Sequence, residues 1–298
     1  MSTPASRLPE SVNRIPSSRP SLPPTVLVLL AGISVQLGSA VAKHLFVTLG
    51  PGGAALLRVG FAAIVLLILW RPQIRGYSSR GLAMAALFGL ATAAMNLSFY
   101  LALDRIPLGV AVTLEFAGPL GLAVAGSRRL FDLVWVLLAA AGIVILAPWG
   151  GLGLDPLGAG FALLAGLFWA GYIVLSSRVG GIFSGGRGLA LALAVGGVAL
   201  LPIGIAGAGA HLLQPYLLLG GLAVALLSGV VPYSLELEAL RSLPTRVFGI
   251  LMSLEPAIAA VIGFVVLGQA LGFRDVLALA LVSVASLGAS RRSSPNMV

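Results

Sequence analysis

The 298-residue sequence contains no cysteine, one lysine and few charged residues of either sign. Without cysteine, the chain has no disulfide, no thiolate metal ligand and no cysteine nucleophile. The single lysine, Lys43, lies outside any G-x-x-x-x-G-K-S/T segment, which excludes ATP hydrolysis by this chain. His44 and His211 are too isolated to suggest a metal site. The H-E-x-x-H and G-x-S-x-G segments of enzymes are absent as well, so we expect neither catalysis nor a cofactor.

Charge is scarce because apolar residues dominate the chain. Charged residues make up 9% of the sequence, hydrophobic residues make up 59%, and the mean hydropathy is +1.08. A soluble protein of this length cannot cover its surface with so few charges. The sequence therefore predicts an all-α membrane protein whose main partner is the lipid bilayer. The net charge of +9 comes from basic residues scattered through short loops, which argues against a nucleic-acid partner.

Ten apolar segments are each long enough to cross a hydrocarbon core at about 1.5 Å per residue. They lie near residues 25–47, 52–70, 81–103, 107–126, 131–148, 157–177, 188–208, 215–239, 245–268 and 274–290. The segments are apolar throughout and do not alternate with polar residues, so transmembrane strands are not expected. The sequence predicts ten transmembrane helices.

Basic residues are distributed unequally between the two sides of these segments. If the N-terminus is cytoplasmic, only Arg105 and Arg274 lie on the opposite side. The cytoplasmic side then holds Arg7, Arg14, Arg19, Arg71, Arg75, Arg80, Arg128, Arg129, Arg178, Arg187, Arg241, Arg246, Arg291 and Arg292. Because positive residues accumulate in cytoplasmic loops, we expect both termini to be cytoplasmic.

Two short segments of the chain repeat each other. Residues 102–107 have the sequence ALDRIP and residues 239–244 have the sequence ALRSLP. Pro107 and Pro244 end these segments, and a second proline follows each of them twelve residues later, at Pro119 and at Pro256. The repeat pairs the fourth apolar segment with the ninth, so each half has five. An odd number of crossings inverts the second half, which predicts an inverted 5+5 repeat with proline-broken helices near a binding site.

The assignment of five apolar segments to each half divides the chain into regions. We expect a disordered cytoplasmic tail at residues 1–24 and a first five-helix repeat at residues 25–148. A connecting loop at residues 149–156 leads to the second repeat at residues 157–290. Residues 291–298 form a second cytoplasmic tail.

Glutamates inside the broken segments are the first candidates for a site. Glu115 lies one helical turn before Pro119, whose missing N–H leaves the carbonyl of Glu115 unpaired. A carboxylate and a free carbonyl at the same depth in the membrane can hold an ammonium group or a proton. An intramembrane carboxylate costs about 2.5–3.5 kcal/mol, so it is usually functional. The alternative is a glutamate that is protonated or bonded to a neighbouring helix.

The arguments for placing the other glutamates in a site are weaker. Glu255 directly precedes Pro256, and its alternative role is to satisfy backbone donors in the broken helix. Glu236 and Glu238 lie near the cytoplasmic end of the eighth segment. Since they are two residues apart, they point to different faces of a helix and only one can line a given cavity.

Two cations and several polar side chains also lie within apolar segments. Lys43 and Arg58 are each near a segment end, where they either extend to the interface or bind a carboxylate. The polar side chains serve either helix packing or ligand binding. They are those of Gln36, Asn96, Trp169, Tyr172 and Tyr233.

Several local motifs occur in order along the chain. They are Gln36-Leu37-Gly38, Ala42-Lys43, Leu56-Leu57-Arg58, Arg105-Ile106-Pro107-Leu108-Gly109, Leu114-Glu115-Phe116, Gly118-Pro119-Leu120, Pro232-Tyr233-Ser234-Leu235-Glu236, Leu243-Pro244-Thr245-Arg246 and Met252-Ser253-Leu254-Glu255-Pro256. Together they make residues 25–290 resemble the EamA-type group of the drug/metabolite transporter superfamily, and its bacterial threonine/homoserine exporter branch in particular.

The resemblance implies a multi-pass exporter of small metabolites in the bacterial cytoplasmic (inner) membrane. Lys43, Arg58, Glu115, Glu236 and Glu255 lie on motif positions of the family, which favours Glu236 over Glu238. One departure concerns the end of the ninth segment, where the family usually has a glutamate and this chain has Gln269. A proton-carrying role at that position is therefore not expected.

The leading hypothesis is a secondary active exporter of threonine-like amino acids that works by alternating access. Protons are the expected coupling ion. We expect the substrate ammonium group near Glu115 and its carboxylate near Lys43 or Arg58, in a cavity with Tyr233 and Trp169. Export of other small metabolites or toxic compounds, and an uncoupled facilitator or channel, are the alternatives.

Overall fold

A computed structural model describes residues 22–125, 133–146, 155–240 and 242–290. Most of the predicted tails at 1–24 and 291–298, and most of the predicted loop at 149–156, lie outside these ranges. Within the described residues, all regular secondary structure is helical. The helices are α1 Pro24–Trp70, α2 Ser79–Arg105, α3 Leu108–Glu115, α4 Ala117–Ala125, α5 Leu133–Leu146, α6 Pro156–Ile182, α7 Arg187–Ala208, α8 Pro215–Ala225, α9 Val231–Leu240, α10 Thr245–Met252, α11 Glu255–Leu267 and α12 Phe273–Ser290. A 3₁₀ turn at Gly209–Leu213 follows α7, and a π-helical turn at Leu226–Val230 joins α8 to α9.

Much of the helical chain has the length and composition of membrane spans. Six stretches of the described chain are long and apolar enough to cross a bilayer. They are Pro24–Trp70, Ser79–Arg105, Pro156–Ile182, Arg187–Leu213, Pro215–Leu240 and Val247–Leu267, and shorter apolar helices lie at Leu108–Ala123 and Val134–Ile145. The expectation of an all-α membrane protein is confirmed.

Helix α1 contains a break at its centre. It contains 47 residues, and a straight helix of that length would measure about 70 Å, which is more than twice a hydrocarbon core of about 30 Å. The backbone leaves the helical region at Gly50, where φ is 63° and ψ is 171°, and Pro51 follows. Glycine is suited to this position because a side chain would strain a positive φ. The break lies between the first two predicted segments, which end and begin at residues 47 and 52.

Two further breaks occur in the segments that carry the sequence repeat. Helix α3 ends at Glu115 and α4 begins at Ala117, while α10 ends at Met252 and α11 begins at Glu255. Pro119 and Pro256 each lie in the first turn of the new helix, where a missing N–H removes no helical bond. Pro107 and Pro244 are the N-caps of α3 and α10. The prolines thus divide each segment into two short helices and place a glutamate at each break.

One end of the helix assembly is densely packed and tied by polar contacts. Leu49, Leu103 and Leu108 are fully buried there. Lys43 Nζ donates to the Leu103 carbonyl at 2.7 Å, and the Leu108 N–H donates to Gln269 Oε1 at 2.9 Å.

An ion pair lies at the same end, between the last residue of α2 and the N-cap of α6. Arg105 Nη1 lies 2.9 Å from Asp155 Oδ2, and Asp155 also accepts the Leu157 N–H. The hydrogen bond from Arg105, with that from Leu157, holds the pKa of the Asp155 carboxyl below its usual value. These contacts join elements from both predicted halves of the chain.

The break between α3 and α4 lets α6 approach closely. A Cβ on Gly166 would meet the carbonyl of Glu115, and a Cβ on Gly118 would overlap the carbonyl of Gly166. Because the opposing atoms belong to the backbone, they cannot move aside as a flexible side chain can. The contact therefore fixes the position of Glu115 relative to α6.

We expect Gly166→Ala to destabilise the protein by about 1–3 kcal/mol, the usual cost of overpacking. Gly160→Ala is the matched control, because Gly160 lies on the same helix and a methyl group added there would have no atom within 4 Å. The control should be neutral or slightly stabilising, since alanine favours helices over glycine. Thermal unfolding of the purified variants in detergent measures both effects. Equal melting temperatures for the two variants would contradict the close backbone approach.

Candidate functional site

A cavity of about 200 Å³ lies among the broken helices. It is smaller than the roughly 300–1,000 Å³ typical of sites for drug-sized ligands, so it suits a small metabolite. Its wall combines apolar and polar side chains. The side chains in the wall that carry a polar group are those of Gln36, Ser39, Arg58, Asn96, Glu115, Trp169, Tyr172, Ser228, Tyr233, Glu236 and Glu255.

The cavity brings together most of the side chains that the sequence nominates for substrate binding or coupling. They are Gln36, Arg58, Asn96, Glu115, Trp169, Tyr172, Tyr233, Glu236 and Glu255. Lys43 does not line the cavity. Its ammonium group is half-buried at the densely packed end, against the Leu103 carbonyl.

Three carboxyl groups and one guanidinium group line this cavity. Glu255 lies within electrostatic range of Glu236 and of Glu115, and Glu115 lies within range of Arg58. Arg58 is the only cation among the described residues that line the wall. The site can therefore pair with both ends of a zwitterion, and it retains carboxyl groups in excess.

The two broken helices set the positions of Glu115 and Glu255. Glu115 is the last residue of α3, and Glu255 is the first residue of α11, with 7% of its surface exposed. A carboxylate in the first turn of a helix is stabilised by the unpaired backbone N–H groups there. The Glu255 side chain packs against α1 at Gly32, one turn before Gln36.

Among the described residues, the Arg58 guanidinium makes only long polar contacts. Its Nη1 lies 3.4 Å from the Tyr100 hydroxyl and its Nη2 lies 3.5 Å from the Ser228 carbonyl. Its Cζ is 5.5 Å from the centre of the Tyr100 ring. A guanidinium has five N–H donors, so these weak contacts orient the group and leave donors for a carboxylate ligand.

The π-helical turn at Leu226–Val230 is a feature of the site that the sequence analysis missed. Its widened backbone presents carbonyls to α1: Ser34 Oγ donates to Leu227 at 2.7 Å, and Arg58 donates to Ser228. Pro232 lies four residues after Ser228 and has no N–H to pair with that carbonyl. Pro232 was therefore the one sign in the sequence that the helix is irregular here. Single π turns occur frequently at functional sites.

Aromatic side chains form one side of the cavity. Trp169 packs edge-on against Phe116 at 5.0 Å between ring centres, and the Tyr172 and Tyr233 hydroxyls lie 2.7 Å apart. The spacing of Trp169 and Tyr172 on α6 predicts that they share a face, and both line the cavity. The hydroxyl pair joins α6 to α9 across the cavity wall.

Gln269, which departs from the family pattern, and Glu238, the less favoured of the two glutamates in the eighth segment, lie away from the cavity. Gln269 Oε1 accepts the N–H of Leu108, the first residue of α3, so this amide caps a helix from the other half of the chain. Glu238 is exposed on α9 and does not line the cavity. Among the described residues, no group of three or more His, Asp or Glu side chains could hold a metal ion.

Comparison with known proteins identifies the family. The chain is 40% identical over 281 residues to the threonine/homoserine exporter RhtA of Salmonella typhimurium strain LT2, which covers 93% of this chain and 95% of that one. The RhtA of Escherichia coli strain K12 is also 40% identical, over 269 residues, with 90% and 91% of the two chains covered. The family model described as the EamA-like transporter family matches residues 156–291. The chain belongs to the EamA-like transporter family.

Membership in the EamA-like transporter family confirms the resemblance that the motifs predict, including its exporter branch. The protein is a transporter and not an enzyme, and it is a multi-pass protein of the bacterial inner membrane. A solved crystal structure of another chain has a TM-score of 0.59 and 19% identity, covering 91% of this chain and 99% of that one. At this identity the likeness concerns the fold alone.

Proposed function

We propose that this EamA-like transporter exports small amino acids, threonine and homoserine first, by proton-coupled alternating access. The observation that carries the proposal is the cavity in which three carboxyl groups and one guanidinium line a space of about 200 Å³. The relatives named as threonine/homoserine exporters support the substrate class. The cavity size favours a small amino acid over the larger toxic compounds of the alternative hypothesis.

The proposed topology has ten spans in an inverted 5+5 repeat with both termini cytoplasmic. The break at Gly50 supports two crossings within α1. The paired breaks at Glu115 and Glu255 support equivalent roles for the fourth and ninth spans. In this topology the densely packed end, with Leu103 and Leu108, faces the periplasm. The structure then corresponds to a state that is closed to the periplasm.

The substrate binds as a zwitterion between Glu115 and Arg58. A carboxylate pairs with the ammonium group, and the guanidinium fork pairs with the substrate carboxylate. Of the two cations that the sequence nominates for this second role, Arg58 lines the cavity and Lys43 does not. We therefore assign the carboxylate to Arg58 alone.

The excess of carboxyl groups supports the proposal of proton coupling. Glu115, Glu236 and Glu255 repel one another when all are ionised, and either a proton or a substrate ammonium group relieves that repulsion. If proton and ammonium compete for the same carboxylates, each occupant must leave before the other binds. That competition produces exchange of an inward proton for an outward amino acid.

Flux measurements in proteoliposomes test the proposal. Vesicles that contain the purified protein are loaded with labelled threonine or homoserine, and efflux is recorded with and without an imposed proton gradient. We expect saturable efflux that accelerates when protons can move inward, together with counterflow. Vesicles without protein are the control. Unsaturable flux without counterflow would indicate a channel, gradient-independent counterflow would indicate an uncoupled facilitator, and no flux from folded protein would exclude these substrates.

A further inference from the structure

Helix α3 depends on the other half of the chain for the cap at its first residue. The first N–H groups of a helix have no partner within that helix, and Pro107, the N-cap of α3, has no side-chain acceptor to offer. The Leu108 N–H donates instead to Gln269 Oε1 at 2.9 Å. Because Leu108 is fully buried, loss of the Gln269 amide would leave this donor away from water without its acceptor.

The backbone after α11 holds Gln269 in position for this contact. Gly268, the C-cap of α11, has a positive φ of 64° and turns the chain back toward the helix. The N–H of Gln269 then donates to the Gly263 carbonyl at 3.0 Å. Gly263 also leaves room for the amide, because a Cβ there would lie 2.8 Å from Gln269 Oε1. The acceptor is therefore fixed beside the start of α3.

Helices α3 and α11 come from opposite halves of the chain and pack closely next to this contact. A Cβ on Gly109 would lie 2.8 Å from the Cα of Ala260, so the two backbones touch. The counterparts of these helices in the sequence repeat are α10 and α4. Helix α4 packs mainly on α6, and α10 packs mainly on α1 and α12. The pair of half-helices at the Gln269 end is thus the pair that is closed in this structure.

The ion pair between Arg105 and Asp155 also connects the two halves at this end. Its side chains are 40% and 32% exposed, and ion pairs in contact with solvent contribute little to stability. The bond from Leu108 to Gln269 is partly buried, and a buried donor that loses its acceptor is costly. Of these two contacts, we therefore expect the one to Gln269 to have the larger effect on closure.

We infer that the hydrogen bond from the Leu108 N–H to Gln269 Oε1 is a periplasmic latch, which stabilises the closed state and breaks when the transporter opens to the periplasm. This inference rests on the proposed function, in which the two halves separate at this end during alternating access. Water can solvate both groups once the halves separate, so the bond favours the closed state. Since α3 ends at Glu115 after eight residues, movement of its first turn also moves the carboxylate that pairs with the substrate.

Substitutions of Gln269 separate the role of the acceptor from that of side-chain size. Gln269→Met removes the acceptor and keeps the length of the side chain. Gln269→Glu is the conservative variant, because a carboxylate accepts the same N–H and is favoured at a helix N-terminus. Gln269→Asn draws the acceptor back by one methylene group. Gln214→Met is the matched control, since Gln214 Nε2 lies 2.9 Å from His211 Nδ1, a contact within one half.

A single introduced cysteine measures opening, because the chain contains no other thiol. Val112→Cys is the reporter: Val112 is 2% exposed, lines the cavity and lies one turn after Gly109 on the same face of α3. Each variant is combined with this reporter in right-side-out membrane vesicles, and a small membrane-impermeant thiol reagent is added outside. We expect Gln269→Met to accelerate the reaction about two- to tenfold, and Gln269→Asn to accelerate it less. Gln269→Glu and Gln214→Met should react like the reporter alone.

Two results would overturn the latch. One is an unchanged reaction rate in Gln269→Met and Gln269→Asn proteins that elute as folded in detergent. The other is an equal acceleration in Gln269→Met and Gln269→Glu, because the acceptor would then be immaterial. If Gln269→Met does not fold, the comparison of Gln269→Asn with Gln269→Glu decides in the same way. Labelling needs no substrate, so these results decide on the latch even if the flux measurement excludes threonine and homoserine as substrates.

Discussion

Glu115→Gln is expected to reduce threonine transport by about 100-fold while the protein stays folded. Glutamine keeps the size of the side chain and its hydrogen-bonding capacity but removes the negative charge that pairs with the substrate ammonium group. Removal of one partner from a buried charged pair costs about 2–5 kcal/mol. That cost corresponds to a loss of roughly 30-fold to several thousand-fold in affinity.

Counterflow at equal pH on both sides of the vesicle membrane is the appropriate measurement, because it needs substrate binding but no net proton movement. Glu238→Gln is the control, since it is the same substitution at an exposed position on α9 outside the cavity wall. Both variants should elute as folded protein in detergent. Normal counterflow in Glu115→Gln, combined with loss of gradient-driven efflux, would show that Glu115 carries protons and does not bind the ammonium group.

The positions of the helices could be predicted from the sequence because long apolar runs have one stable arrangement in a bilayer. The breaks could be predicted as well. Gly50-Pro51 lies between two apolar runs, and the prolines at 119 and 256 mark the interruptions beside Glu115 and Glu255. Each of these features depends on residues close together in the chain, which is the information that a single sequence carries.

The cavity residues could be nominated because polar side chains are rare in apolar segments, but their orientation could not. Lys43 and Arg58 both lie within two turns of a segment end, and the sequence offers no basis for choosing between them. The helices are apolar on all sides, so hydrophobic periodicity does not indicate which face is buried. Packing against Leu103 and Tyr100, which are distant in sequence, determines that Arg58 lines the cavity and Lys43 does not.

Contacts between distant elements account for the features that the sequence did not predict. The Tyr172–Tyr233 hydroxyl pair joins α6 to α9, and Gln269 caps α3 from the end of α11. The π-helical turn depends on Ser34 and Arg58 to pair with its carbonyls. Pro232 alone indicates a break in the eighth segment without indicating which kind.

Arg58→Gln is expected to remove the preference of the transporter for substrates that carry a carboxylate. Arg58 is the only described cation in the cavity wall, and its contacts with Tyr100 and Ser228 are long. We expect threonine affinity to fall by roughly 30-fold or more, from the loss of a bidentate, buried charge pair. The affinity for threoninamide, which lacks the negative charge, should change little.

The comparison of threonine with threoninamide separates a binding role from a structural one. If Arg58 acts only by holding the π-helical turn through the Ser228 carbonyl, its substitution will lower the affinities for both compounds equally. If Arg58 binds the substrate carboxylate, only the affinity for threonine will fall. Competition against labelled threonine in counterflow measures both affinities, with Arg178→Gln on the exposed part of α6 as the control.

Arg58→Lys refines the same test. Lysine keeps the positive charge but lacks the planar fork that contacts both oxygens of a carboxylate. We therefore expect its threonine affinity to lie between those of the wild type and Arg58→Gln, with part of the preference over threoninamide retained. A lysine variant as weak as the glutamine variant would indicate that the geometry of the guanidinium, held by Tyr100 and Ser228, matters more than its charge.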